Sequence, residues 1–255
     1  MSTFNRGLFA AAVFMASGVG GSAALAAEPA KTVVLVHGAW ADGSSWSEVV
    51  PLLEAAGLNV VAVQNPLSTL KGDVANTVRV IDDQPGDVIL VGHSYGGVVI
   101  TEAGNDPKVK ALVYVAAFAP GPKQSVNAIL SAFPLPEWFK LLHADAGGYI
   151  TWPVEPMGKY FASGLPAAQV RVLAATQHPT FAGVNDDAVG DTVAYAGKPT
   201  WSVVSENDQI IPAPLQMHFA EVMKSTVVPV KTGHLPMFAD PKGVAAAIIT
   251  ASKGY

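Results

Sequence analysis

Apolar residues along this 255-residue chain cluster in short continuous runs separated by amphipathic stretches. Thr32-Val33-Val34-Leu35-Val36 is mostly β-branched and unbroken, as a strand buried on both faces is. Residues 45–56 then show helical spacing, with Trp46, Val49, Val50 and Leu53 on one side and Gly57 as the stop. Residues 58–63 predict a second strand, 74–81 a helix ending before Pro85, and 87–91 a third strand. A helix-compatible stretch, 98–103, follows. The runs 111–116, 200–205 and 226–230 predict further strands, and 214–223 has a helical pattern. Strands alternating with helices in this way argue for a mostly parallel, doubly wound α/β sheet covered by helices on both faces.

Between about residues 120 and 197 the alternation stops. This segment is rich in proline and aromatics, among them Phe133, Trp138, Tyr149, Trp152 and Phe161. It predicts a helical insertion over the C-terminal edge of the sheet, where open α/β sheets bind ligands. Any single aromatic there equally serves to pack the insertion onto the body.

The first residues stand apart from this pattern. Arg6 precedes an apolar stretch over 7–20, and Ala24-Leu25-Ala26 forms an A-x-A cleavage site. This predicts a secretory signal over 1–26, cut near Ala26, and a periplasmic or secreted protein without stable membrane insertion. The expected organisation is then a core from 27–119 and 198–255 with the insertion 120–197 between them. There is no cysteine, which excludes disulfides, a thiol nucleophile and a cysteine-based zinc site. The formal net charge is −5, with no basic cluster, so nothing suggests a nucleic-acid partner.

The chemistry concentrates in Gly92-His93-Ser94-Tyr95-Gly96, a G-x-S-x-G between a predicted strand and a predicted helix. This is the context of a nucleophile elbow, in which a serine sits on a tight turn above the sheet edge. Gly92 and Gly96 would let strand and helix backbones approach. A serine nucleophile needs a histidine base and a carboxylate to orient it, following it in the order acid, then histidine. Of the six histidines, His234 follows the last predicted strand and falls in a loop at the same sheet edge. Asp208 lies just past the preceding strand, and Glu206 beside it is the alternative. Asp240-Pro241 reads as a helix cap. The developing oxyanion needs two N–H donors. Tyr95 supplies one, and Ala39, after Gly38 in the loop beyond the first strand, is chosen for the other.

The run Val33 to Trp40, the elbow and the two late loops together resemble the α/β-hydrolase superfamily over essentially the whole mature length. The pattern is similar to the branch holding plant methyl-ester esterases, hydroxynitrile lyases and their bacterial relatives. The resemblance implies a sheet of about six strands, the triad Ser94, Asp208 and His234, and oxyanion donors Ala39 and Tyr95. Plant lyases of this type carry a threonine where this chain has Gly38 and a lysine where it has Leu235. The resemblance therefore favours an esterase.

The expected activity is that of a serine carboxylesterase acting on small or medium hydrophobic esters, with no metal or organic cofactor. Trp40, Phe133, Trp138, Trp152 and Leu235 are expected to line the substrate pocket. A cofactor-free perhydrolase, a lactonase or amidase, and a small-molecule receptor on the same fold remain alternatives. Turnover separates the receptor from the enzymes.

Overall fold

The computed structural model describes residues 31–255. The expected export signal and its cleavage site lie outside them. The central sheet is built from β1 (Thr32–Val36), β2 (Asn59–Ala62), β3 (Val88–His93) and β4 (Val109–Val115). After three short strands, β5 (His143–Ala144), β6 (Tyr149–Thr151) and β7 (Thr180–Phe181), it is completed by β8 (Thr200–Ser205) and β9 (Thr226–Val230). Its order is β2-β1-β3-β4-β8-β9, with every pair parallel. β1, β3 and β4 lie at its centre. Every residue of β1 and β3 is buried, and burying each large aliphatic side chain there contributes about 1.5–3 kcal/mol.

The crossovers are helical. They are α1 (Val50–Ala55), α2 (Leu70–Asp82) and α3 (Gly96–Ala103), and later α6 (Ala213–Met223), while α7 (Pro241–Ala251) follows the last strand. Right-handed connections place α1 on one face and α2 and α3 on the other. Residues 45–56 do not form the single helix their spacing predicts. A 3₁₀ turn, Gly43–Trp46, precedes α1. The cause is Pro51, which lacks an N–H and fits only a helix's first turn. The second helix begins earlier than its apolar spacing, because Thr69 caps it by accepting from Gly72 N at 3.1 Å. Asp240 caps α7 in the same way, through Gly243 N at 3.0 Å, as expected.

The segment between β4 and β8 holds α4 (Val126–Leu130), α5 (Ala167–Thr176) and several 3₁₀ turns. It also forms a second, antiparallel sheet in the order β5-β6-β7, which hydrophobic periodicity does not reveal. Strands of two and three residues are too short to carry a period. Among the described residues, no helix is long and apolar enough to cross a membrane.

Candidate active site

Four loops at the carboxyl ends of the parallel strands meet at one place. Strand order reverses between β1 and β3, and a doubly wound sheet opens a crevice at such a point. The loop after β3 carries Ser94, and the loop after β1 carries Gly38 and Ala39. Asp208 follows β8, and His234 follows β9.

The elbow is strained and closely packed. Ser94 has φ 54°, left-handed for a non-glycine residue, which costs on the order of 1–3 kcal/mol. Its N–H donates to Val115 O at 3.2 Å, and its carbonyl accepts from Gly97 N at 3.0 Å and Phe118 N at 3.2 Å. The surrounding glycines leave no room for alternatives. A Cβ on Gly92 would lie 2.5 Å from Gly96 O, and one on Gly96 would lie 2.6 Å from Val36 O.

Ser94 Oγ donates to His234 Nε2 at 2.9 Å, and His234 Nδ1 donates to Asp208 Oδ2 at 2.8 Å. A carboxylate only accepts, so it places the imidazole proton on Nδ1 and leaves Nε2 free to take the serine proton. All three side chains are buried. Asp208 is fully engaged. Its Oδ1 accepts from Ile210 N at 2.8 Å and Ile211 N at 3.0 Å, and its Oδ2 also accepts from Gln216 Nε2 at 2.9 Å. Glu206 is exposed, and the carboxylate bonded to the histidine is that of Asp208. Sequence reasoning missed Gln216. A lone glutamine in a helix ordinarily reads as a surface residue, whereas here it is buried against the carboxylate.

His93 joins the elbow to the base. Its Nε2 donates to the carbonyl of His234 at 2.8 Å, and its Nδ1 has no partner among the described residues. Burial, followed by the neighbouring His234, holds its pKa well below the usual histidine range. His93 is therefore a neutral donor.

The first loop is set by His37 and Trp40. Asn65 N donates to His37 Nε2 at 3.0 Å, so Nδ1 bears the ring proton and donates to Gly38 O at 2.9 Å. Burial lowers the His37 pKa and keeps the ring neutral. Gly38 O and Ala39 N–H belong to one planar trans peptide and point in opposite directions. Holding the carbonyl thus aims the amide. Among the described residues, neither Ala39 N nor Tyr95 N donates to a protein acceptor. Gly38 touches the nucleophile, since a Cβ there would lie 2.7 Å from Ser94 Cβ.

One aromatic ring packs against His234, and three more pack onto it in turn. The Phe161 ring lies 5.3 Å from the imidazole, with Trp40 at 5.7 Å and Trp152 at 5.9 Å from Phe161. Trp138 lies 5.4 Å from Trp152, and its indole N–H donates to Gln209 O at 3.0 Å. Trp40, Trp138 and Trp152 thus come together, and Leu235 is buried next to the histidine in sequence. Phe133 does not join them. It is 51% exposed and borders a separate cleft of about 270 Å³ with Ile129, Tyr195, Leu215 and Phe219. Phe161, from the same aromatic-rich segment, takes the place beside His234.

The family model described as the alpha/beta hydrolase family matches residues 33–247. The chain belongs to the alpha/beta hydrolase family. Among curated relatives, it is 26% identical over 233 residues to Methylesterase 8 of Arabidopsis thaliana, covering 82% of this chain and 85% of that one. It is 27% identical to the pyrethroid hydrolase of Sphingobium wenxiniae, covering 85% of each chain. A carbendazim hydrolyzing esterase of Nocardioides is 38% identical over 118 residues, 41% of this chain and 49% of that esterase. Among solved structures, an extracellular alpha/beta-hydrolase from a Paenibacillus species aligns with TM-score 0.72 and 26% identity, covering 86% of this chain and 98% of that one. Polyneuridine aldehyde esterase aligns with TM-score 0.76 at 20% identity, covering 88% and 99%, which shows the shared fold.

Proposed function

We propose that this chain, a carboxylic ester hydrolase, works through an acyl-enzyme on Ser94 and prefers small or medium hydrophobic esters. The observation that carries the reading is the unbroken relay from Asp208 through His234 to Ser94, with two unengaged amides alongside. Ser94 Oγ attacks the ester carbonyl carbon while its proton passes to His234 Nε2. Asp208 holds the ring and stabilises the imidazolium. The carbonyl oxygen, now an oxyanion, accepts from Ala39 N–H and Tyr95 N–H. Collapse of the intermediate breaks the bond to the alkoxide, which takes the proton from Nε2. Water then repeats the sequence on the acyl-enzyme and frees Ser94.

The substrate class rests on the aromatic cluster that reaches His234 through Phe161, which makes the surroundings of the base largely apolar. The relatives named methylesterase, pyrethroid hydrolase and carbendazim hydrolyzing esterase support ester chemistry of this kind. Gly38 and Leu235 support hydrolysis over cyanohydrin cleavage. The reading includes export, supported by Arg6, the apolar stretch 7–20 and the A-x-A site ending at Ala26. Sequencing the N-terminus of the mature protein from a periplasmic extract or culture medium tests that part. The activity is tested with a panel of p-nitrophenyl esters of increasing acyl length. Enzyme-dependent hydrolysis that peaks at short or medium chains is expected. Tight ligand binding without turnover would replace the enzyme with a receptor.

A further inference from the structure

The small antiparallel sheet of the insertion grips the first oxyanion loop at one residue. Trp40 has φ 58°, left-handed and strained for a tryptophan. Two hydrogen bonds hold it there. Its backbone N–H donates to Thr180 Oγ1 at 3.0 Å, and its indole N–H donates to Ile150 O at 3.0 Å. The two acceptors are not independent, because Ile150 and Thr180 face each other in the β6–β7 ladder. Thr180 is buried, so water does not replace its hydroxyl.

The consequence falls on Ala39. The peptide before it is fixed by His37 through Gly38 O, and the peptide after it is fixed by Thr180 through Trp40 N. Ala39 N–H therefore has its direction set from both sides. The next residue of the same strand reaches the second donor. Phe181 N donates to Leu67 O at 2.9 Å, and Leu67 N donates to Asp73 Oδ1 at 3.0 Å. Asp73 Oδ2 in turn accepts from the Tyr95 hydroxyl at 2.9 Å. One strand, β7, is thus tied to both residues whose amides face the reaction.

We propose that β7 is a positioning element of the oxyanion hole, with the Thr180 hydroxyl as its contact to the Ala39–Trp40 loop. The inference rests on the reading of Ala39 and Tyr95 as oxyanion donors. It changes the role of the insertion, which then governs the rate of the chemical step as well as the choice of acyl group. An interaction that only aims transition-state donors alters kcat and kcat/KM together and leaves KM in place. A merely structural contact, or one that shapes the pocket, does not give that pattern.

The test uses the full mature chain and p-nitrophenyl acetate. Thr180→Val keeps the side-chain shape and removes the acceptor, and Thr180→Ser restores it. Thr180→Val is expected to lower kcat by about 10- to 100-fold with KM unchanged, in line with the cost of a small misplacement of catalytic groups. Thr180→Ser is expected to recover most of the loss. Inhibition by phenylboronic acid, whose tetrahedral adduct puts an oxygen in the hole, should weaken in parallel with kcat. If circular dichroism shows Thr180→Val unfolded, Trp40→Phe, which removes the bond to Ile150 O, is measured in its place and should show the same kcat loss. Wild-type kcat in whichever variant is folded overturns the proposal, as does a loss carried by KM alone or one that Thr180→Ser fails to repair. Ser94→Ala is run alongside. If it is inactive while Thr180→Val is wild type, only this inference falls. If it retains turnover, the oxyanion reading and this inference fall together.

Discussion

Asp208→Asn probes how the relay is oriented, because each lone pair of that carboxylate has a donor. Oδ1 is held by two backbone amides, Ile210 N at 2.8 Å and Ile211 N at 3.0 Å, and these cannot turn away. An asparagine must keep its oxygen toward them. Its amide nitrogen then faces His234 Nδ1 and Gln216 Nε2, where Oδ2 accepts at 2.8 and 2.9 Å in the native protein. An N–H facing His234 selects the tautomer with the ring proton on Nε2, which cannot accept from Ser94. The same replacement in the serine-protease triad costs about 10⁴ in kcat, and a loss of that order is expected here. Gln216 cannot flip to relieve the second conflict. Its Nε2 also donates to Ile211 O at 2.6 Å, and its Oε1 accepts from Ser205 N at 3.0 Å. Two buried N–H groups then face each other without an acceptor, at about 1–3 kcal/mol each, and Tm falls by about 2–4 °C for each kcal/mol. The assay is kcat/KM on a p-nitrophenyl ester, with a thermal melt to confirm folding. Glu206→Gln, on an exposed side chain, should stay near wild type. A folded Asp208→Asn within tenfold of wild type, or an equal loss in Glu206→Gln, would refute the assignment.

Three further outcomes are expected. Trp138→Ala and Trp152→Ala should each shift discrimination across an acyl-length series by about 1–3 kcal/mol, because each loses apolar contact near His234; an unchanged chain-length profile in both would make these side chains purely structural. Burial pushes the Asp73 carboxyl up to about 6, against an unfolded value of 3.8, with the Tyr95 hydroxyl acting in the opposite sense. Below about pH 4 both states keep the proton; between about pH 4 and 6 the unfolded state releases it while the native state holds it, and stability falls by about 3 kcal/mol before the native carboxyl ionises as well. Asp73→Asn should therefore gain stability relative to wild type between pH 4 and pH 7, measured as a widening Tm difference; a constant difference would contradict this. Mandelonitrile should release no cyanide above its spontaneous rate, since Leu235 offers no positive charge and a side chain on Gly38 would meet Ser94 Cβ at 2.7 Å; enzyme-dependent release that disappears in Ser94→Ala would contradict it.

Much of this arrangement was legible because strong local signals coincide with the sheet. The β-branched runs at 32–36, 200–205 and 226–230 are strands at those same residues. G-x-S-x-G could be placed because glycine is needed where strand and helix backbones come within contact distance. His234 and Asp208 followed from chain order and from loops at the right sheet edge. What stayed hidden depends on distant partners. Gln216 is a buried ligand of Asp208 only because the loop after β8 folds back onto α6. Thr180 and Ile150 matter through a sheet whose strands are too short to show a period. Phe133 and Phe161 are equivalent by composition, and only the packing of the insertion decides which one meets His234. Pro51, by contrast, already contained the break between the 3₁₀ turn and α1, and apolar spacing alone overrode it.

The central claim is that Ser94 is the nucleophile and carries the acyl group. The most direct measurement is peptide mapping by mass spectrometry after brief reaction with a fluorophosphonate probe, and separately after rapid acid quench during turnover of a p-nitrophenyl ester. Ser94 should carry the phosphonyl group in the first case and the acyl group in the second, and Ser94→Ala should lose both adducts and ester turnover while remaining folded. An adduct on a different residue, or undiminished hydrolysis by folded Ser94→Ala, would contradict the account.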